Sequence, residues 1–391
     1  MTDFFHGVEV IQIDDGVRPI ETVKSSVIGI VGTAHSADDD VFPINTPVLI
    51  PGNRSIAAKL DTLSNQISGS LPSAVDAILD QAGASIIVVR VMPASKKEDR
   101  LANIIGGIDK NGKPTGMQAL LAAESQLGVT PRILIAPEFT HEKIIVDELL
   151  SVAERLKAIV FADGPNTTNE AAINYRGQFD SKRLMIIDPW VKTFNKRRGE
   201  FVTKPASSFF AGLQAKIDHD KGFWHSVSNH PILGVLETAR PIDSGGTEST
   251  ANLLNDNEVS TIIRDNGFRS WGNRTTSIDP KWAFLTTVRV ADMINDSIKR
   301  AHQWAVDRNI TRTYLEDVVE GVKAYIRELK NLEAIIDGDA WVDPEMNTQT
   351  TLAKGQVFID FDFKEHPLAE RITFRSHLNN AYLTQVLPID N

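Results

Sequence analysis

The chain of 391 residues contains no cysteine. That excludes disulfides, thiolate metal sites and cysteine nucleophiles, and it suits reducing and oxidising surroundings equally. No apolar run approaches the roughly 20 residues that a membrane-spanning helix needs. Positive charge is in deficit: 41 Lys and Arg face 51 Asp and Glu, a net charge of −10 with a pI near 5.4. So acidic a chain is a poor partner for nucleic acid or an anionic membrane. Internal repeats and low-complexity tracts are missing too.

Motif-borne chemistry is equally scarce. There is no H-E-x-x-H, no G-x-S-x-G, and Gly29 with Gly32 does not complete G-x-G-x-x-G. Residues 107–113, GIDKNGK, have the spacing of a phosphate-binding loop, but Pro114 stands where Ser or Thr should hold magnesium. Asn111-Gly112 reads instead as a hairpin turn. The histidines are scattered. His219 and His225 with Asp220 can be imagined as ligands, but beside Trp224 they read as packed polar residues. Asp337, Asp339 and Asp343 lack the spacing and glycine of a calcium loop and read as a solvated turn. The sequence therefore nominates no catalytic, cofactor-binding or metal-ligating residues.

What is present is patterning. At 42% hydrophobic and 24% charged, the composition is that of a globular protein, and the length suits two domains or one elaborated one. Strand-like runs at 27–31, 85–92, 133–136, 158–162 and 184–188 alternate with helical patterns at 71–82, 117–126, 141–156 and 168–179. That order predicts an α/β domain with a parallel-type sheet, its strands covered on both faces. Residues 192–198 read as a basic solvated loop, 205–218 as a helix, and 230–257 as irregular. Further on, Phe284, Val288, Ala291, Ile294, Ile298, Ala301 and Ala305 recur at helical spacing and predict a helix of about 24 residues. Leu315, Val318, Val322, Ile326 and Leu329 predict a second amphipathic helix, with Thr313 and Glu316 as its capping box. Its polar face carries Lys323, Arg327 and Lys330.

The two ends are unusual. In 357–363 the apolar Val357, Ile359, Phe361 and Phe363 alternate with Phe358, Asp360 and Asp362, one apolar face over a largely acidic one. Residues 371–376, with Ile372 and Phe374 on one side, read as its partner in a two-stranded ribbon. Beyond it Tyr382, Leu383, Val386 and Ile389 run to the end with nothing left to cover them. At the start, Val8 and Val10 fall on one strand face and Ile11 and Ile13 on the other, before Gly16 and Pro19. This stretch is too short, and lacks the basic lead-in, for a signal peptide. Two-stranded ribbons are marginal alone and leave open edges. Burying five or six such side chains yields roughly 1.5–3 kcal/mol each, while ordering about ten residues costs roughly 1–2 kcal/mol each. The sums nearly cancel, so such arms bind weakly per copy and strongly in an array.

Residues 266–275, NGFRSWGNRT, pack Phe268, Trp271, Arg269, Arg274 and two glycines together. A guanidinium can stack on the indole here; a structural corner is the plain reading and a binding site the sharper one. This segment, with Asp279-Pro280 and 301–308 (AHQWAVDR), resembles the tail sheath proteins of contractile phages and R-type pyocins. Residues 126–134, Phe223-Trp224-His225 with Ser228-Asn229, and His6-Gly7-Val8 with Gly16 and Arg18-Pro19 are similar to the same family.

The resemblance spans the chain and implies a structural, mechanical role rather than an enzyme. Subunits of that family form stacked hexameric rings around an inner tail tube, joined to baseplate and tail terminator proteins, and contract to drive the tube through a bacterial envelope. It implies no cofactor, no nucleic acid and no membrane insertion, with assembly in the host cytoplasm and a final place in a virion tail or released particle. It further implies that terminal arms add strands to a neighbour's sheet. The expected fold is multi-domain: an N-terminal arm (1–22), an α/β outer domain (23–270), an α+β inner domain with a β-ribbon (271–376) and a C-terminal arm (377–391). Val8, Val10, Ile11, Ile13, Tyr382, Leu383 and Val386 would insert; Val357, Ile359, Phe361, Phe363, Ile372 and Phe374 would form the accepting ribbon. Gly16, Pro19 and Asn379 would be hinges, and Lys323, Arg327 and Lys330 would face the tube. The alternative is a cytoplasmic α/β enzyme with a nucleotide-type substrate.

Overall fold

A computed structural model describes residues 19–63, 69–195 and 199–386, with side chains described to residue 383. Its first strands are β1 (Ile28–Thr33), β2 (Pro47–Pro51) and β3 (Ser85–Val91), with helix α1 (Ser70–Gln81) between the last two. Then come α2 (Lys97–Ile105), β4 (Ile133–Ile135), α3 (Lys143–Leu156), β5 (Ile159–Asp163), α4 (Asn169–Arg176) and β6 (Leu184–Ile187). A hairpin of β7 (Val191–Asn195) and β8 (Glu200–Lys204) leads to α5 (Ser207–Asp220). β9 (Val259–Arg264) and β10 (Phe268–Trp271) close the sheet, whose order is β10-β9-β6-β5-β4-β1-β3-β2.

Six central strands are parallel; β2 and β10 run antiparallel at the two edges. Strand side chains alternate faces, and here both faces are covered. Ile28, Ile30, Ile86, Val88, Ile133, Ile135 and Phe161 pack with α1 and α5 on one side. Val31, Ile87, Val89, Leu134, Val160 and Ile186 pack with α3 and α4 on the other. Helices α1 and α5 come so close at Gly212 that a Cβ there would stand 2.8 Å from the Ile78 carbonyl oxygen. The edges are blunted. Pro47 and Pro51 flank β2 and carry no N–H. β10 is shielded by 229–232, through Asn229 N–H to Ser270 O (2.7 Å) and Ile232 N–H to Phe268 O (2.8 Å).

A third core lies beside this sheet. It is built by α6 (Leu285–Ala301), α7 (Arg312–Asn331), β11 (Ile335–Val342) and β12 (Ile359–Glu365). Val290, Met293 and Ile294 of α6 meet Val322, Tyr325, Ile326 and Leu329 of α7, with Phe361 and Phe363 of β12 alongside. Ile20 and Val23 are buried in this core, and Thr22 Oγ1 lies 2.9 Å from Tyr325 Oη. The expected arm of 1–22 therefore gives way to packed chain by Ile20, because its apolar side chains find cover.

Helix α6 joins this core to the sheet through charge. Asp296 pairs with Arg132 (2.5 Å), Asp292 with Arg183, and Arg289 with Asp218 of α5. Arg132 and Arg183 directly precede β4 and β6, so the helix crosses the amino ends of the parallel strands. Arg183 also reaches Glu154 (2.9 Å) and the Ala158 carbonyl.

Several expectations need correction. Residues 191–195 are a strand paired with β8, not a solvated loop, because Val191, Thr193 and Asn195 alternate inward. The segment 117–126 is mostly a 3₁₀ turn, with only Ala123–Leu127 α-helical. Residues 230–257 include a helix, Thr250–Asp256, capped by Ser249. The cap of α7 is Thr311, whose side chain accepts from Tyr314 N–H, while Glu316 pairs with Arg312 at 2.7 Å. The hairpin reading of 107–113 holds: Gly107-Ile108 pairs with Pro114-Thr115, and Asp109 Oδ1 accepts from Asn111 and Lys113 N–H, both at 2.8 Å.

Candidate assembly site

The ribbon expected near the C-terminus exists, but with another partner. β12 pairs antiparallel with β11, from Val342 opposite Ile359 to Ile335 opposite Glu365, with a bulge near Ile336. Residues 371–376 form no strand; Ile372 is 70% and Phe374 92% exposed. Where Asp337 and Asp339 suggest a solvated turn, the chain is the strand β11: both face outward with Trp341, while the residues between them and beyond, Gly338 and Ala340, are small and inward. Gly338 and Ala340 leave room for Phe363 and Phe361 opposite them. A Cβ on Gly338 would stand 2.3 Å from the Asp362 carbonyl oxygen, so the position tolerates no side chain.

Ile359, Phe361 and Phe363 face the third core, and Val357 precedes the strand. What the ribbon can offer a newcomer is backbone. Among the described residues the sheet has two strands, so β11 has an outer edge. There the N–H groups of Gly338 and Ala340 are held by Asp337 Oδ1 (3.0 Å) and Asp339 Oδ1 (2.8 Å). Those carboxylates pair in turn with Lys330 (2.8 Å) and Lys323 (3.1 Å) of α7. These hydrogen bonds hold both carboxyls below the usual carboxylate range. Arg327 is mostly exposed and has only a loose contact with Glu320, at 3.9 Å.

Beside β11 runs a groove of about 630 Å³ lined by Leu315, Val319, Trp341, Val342 and Leu352. Opposite in character is residues 369–383, every one of which is exposed. Leu378 is 98% and Tyr382 and Leu383 are about two-thirds exposed. Residues 380–386 form a 3₁₀ turn, started by Asn379 Oδ1 accepting from Ala381 N–H at 2.9 Å. Pro19 is exposed where the described chain begins. Val8, Val10, Ile11, Ile13 and Gly16, and the side chain of Val386, lie outside the described residues.

The corner at 266–275 holds the end of a tight turn between β9 and β10, with Asn266 and Gly267 at positive φ (48° and 105°), then β10 and the chain leading on from it through Arg274. Arg274 stacks on Phe284, 5.6 Å from the ring centroid, rather than on the indole. Sequence reasoning missed the buried charges of α6, because Arg289, Asp292 and Asp296 look like an ordinary solvated face. A crevice of about 440 Å³ does open at the carboxyl ends of β1, β3 and β4, where parallel sheets hold ligands. Its Lys97 is paired with Glu142, however, and no glycine-rich phosphate loop lines it. Among the described residues no three His, Asp or Glu converge as metal ligands, and no helix is long and apolar enough to cross a membrane.

The ribbon edge, the groove beside it and the exposed residues 369–383 are therefore this chain's candidate contact surfaces. The comparisons bear on the chain as a whole. Residues 25–91 match the tail sheath protein Gp18 domain III N-terminal region, 112–276 the phage tail sheath protein central domain, and 277–379 the phage tail sheath C-terminal domain. A prophage protein of Pseudomonas aeruginosa (strain UCBPP-PA14), described as a major tail sheath protein, is 41% identical over 99% of both chains. The tail sheath protein of Escherichia phage P2 is 38% identical over 99% of this chain and 98% of its own. In structure, the anti-feeding prophage helical sheath in its contracted state superposes with a TM-score of 0.71 at 17% identity, over 96% of this chain and all of the other. The chain belongs to the phage tail sheath family. It is a structural component of a contractile tail, not an enzyme, and the nucleotide-enzyme alternative has no support.

Proposed function

We propose that copies of this chain stack as hexameric rings around an inner tail tube, between baseplate and tail terminator proteins, after assembly in the host cytoplasm. The tail particle then works outside that cell, where shortening of the sheath drives the tube through a bacterial envelope. No nucleotide is required, because the energy is stored when the extended polymer is built. The observation that carries this reading is the pairing of an open β11 edge and its apolar groove with the wholly exposed residues 369–383. Tyr382, Leu383 and Val386 of one copy, and Val8, Val10, Ile11 and Ile13 of another, would extend a neighbour's ribbon. The ribbon's Ile359, Phe361 and Phe363 hold its inner face.

Strand addition uses main-chain hydrogen bonds for strength and side-chain pockets for register. A ladder resists pulling along its length while the bodies of the subunits exchange surface contacts. Ten extended residues span roughly 33 Å, enough to cross into an adjacent copy. The domains divide accordingly: an α/β body outside, the third core inside, with Arg327 and the Lys323 and Lys330 pairs toward the tube.

Deletion tests the proposal. Removing residues 1–15, or residues 377–391, should leave a monomer with unchanged melting temperature that forms no sheath in electron micrographs. Normal cylinders from either truncation would overturn the arm assignment.

A further inference from the structure

The exposed terminal segment leaves the body at one defined point. Glu370 receives two hydrogen bonds from Arg274, Nε to Oε1 at 2.8 Å and Nη2 to Oε2 at 2.6 Å. This fork-to-fork geometry fixes direction as well as distance, which a lysine ammonium cannot do. The guanidinium is itself oriented, lying over the Phe284 ring, and the backbones of Arg274 and Phe284 form an antiparallel bridge. Arg274 therefore stands where the corner after β10 meets the start of α6. Every residue from 369 to 383 is exposed, Glu370 among them, so its fork to Arg274 ties an otherwise bare stretch to the body.

We infer that Arg274 is the positioning residue for the C-terminal arm, and that the arm pivots just after Glu370 rather than at Asn379. This rests on the arm exchange proposed above. Both partners are partly solvated, with side chains 37% and 39% exposed, so the tie is weak in one subunit and screened by salt. Its effect on assembly comes from repetition, because every copy in a ring must present its arm in the same direction. Asp256 and Glu258 also face Arg274, and Glu258 is already engaged by Arg176. Glu370 is thus the carboxylate that Arg274 holds as a fork.

The absence of native cysteine makes the test direct. Spin labels at Ile278→Cys and Leu378→Cys, both exposed, report the distance from body to arm in the monomer. With Arg274 and Glu370 intact the distance distribution should be narrow. Arg274→Ala, Arg274→Lys and Glu370→Gln should each broaden it about twofold, while the exchanged pair Arg274→Glu with Glu370→Arg restores it. In label-free protein, the single variants should yield about tenfold less sheath at limiting subunit concentration, with unchanged melting temperature, and the exchanged pair should recover it. Equal widths in all variants, or full sheath yield from the single variants, would overturn the inference. Either result leaves the arm exchange intact, since that reading fails only if the truncated chains still polymerise.

Discussion

Asp163 ends β5 wholly buried, and its carboxylate does the work of a cap for α5. It accepts from Ser207 N–H (2.8 Å) and Ser207 Oγ–H (2.6 Å), with Thr140 Oγ1 at 3.3 Å. Burial outweighs these donors and pushes its pKa up to about 6. A carboxyl raised in the folded state binds a proton there that the unfolded chain has released. Its stabilising contribution is complete below the ordinary value near 3.8 and is lost as pH rises through about 6. Asp163→Asn keeps the acceptor oxygen but cannot ionise. The stability of this variant relative to the parent should therefore improve by about 2–3 kcal/mol between pH 4 and 7, measured by denaturant unfolding of the monomer. A pH-independent difference would show that Asp163 does not titrate in this window. Nothing in the sequence marks this residue. A single aspartate after a buried strand looks like any loop residue until the fold places Ser207 and Thr140 against it. Arg274 was legible as part of a dense corner, but its partner lies 96 positions away and only the fold brings them together.

At the scale of elements, α6 carries the most consequence. Its apolar residues were readable from periodicity, but the helix stops at Ala301 after 17 residues, and Ala305 belongs to a separate 3₁₀ turn, Gln303–Ala305. Its charged residues were not readable, since spacing cannot distinguish a solvated carboxylate from one facing a buried arginine. Asp292 meets Arg183, whose side chain is only 1% exposed. Removing Asp292 leaves this buried guanidinium with only the half-exposed Glu154 and the Ala158 carbonyl. Asp292→Ala should cost about 3–5 kcal/mol in monomer unfolding, against about 0.5 kcal/mol or less for Glu316→Ala on the exposed face of α7. Equal losses would show that the charged layer is not what joins the two cores. The parallel sheet was legible because strands covered on both faces are apolar throughout. The β11–β12 ribbon was only half legible. Its second strand alternates Phe with Asp, but its first hides behind Gly338, Ala340 and a run of aspartates. Ile372 and Phe374 imitated a strand, yet in one copy they have nothing to pack on.

For the whole molecule, the charge layout sets how a sheath could grip a tube. Lys323 and Lys330 are occupied by Asp339 and Asp337, whereas Arg327 has only its loose contact with Glu320. Arg327→Glu should therefore impair coassembly with the tube more than Lys323→Glu or Lys330→Glu, with monomer stability changed by about 0.5 kcal/mol or less. Cosedimentation with purified tube measures this, and equal coassembly by all three variants would remove Arg327 from the contact. The fold class and the family were both readable from end to end, because sheath motifs are spread along the chain. The blunted margins of the eight-stranded sheet have a wider consequence. Pro47 and Pro51 on one side, and the 229–232 shield on the other, leave side-by-side fusion of these large sheets without purchase. On the arm exchange proposed above, joining is left to the ribbon rather than to the large sheet, so a crowded pool of free subunits would find no large-sheet edge along which to knit into fibres.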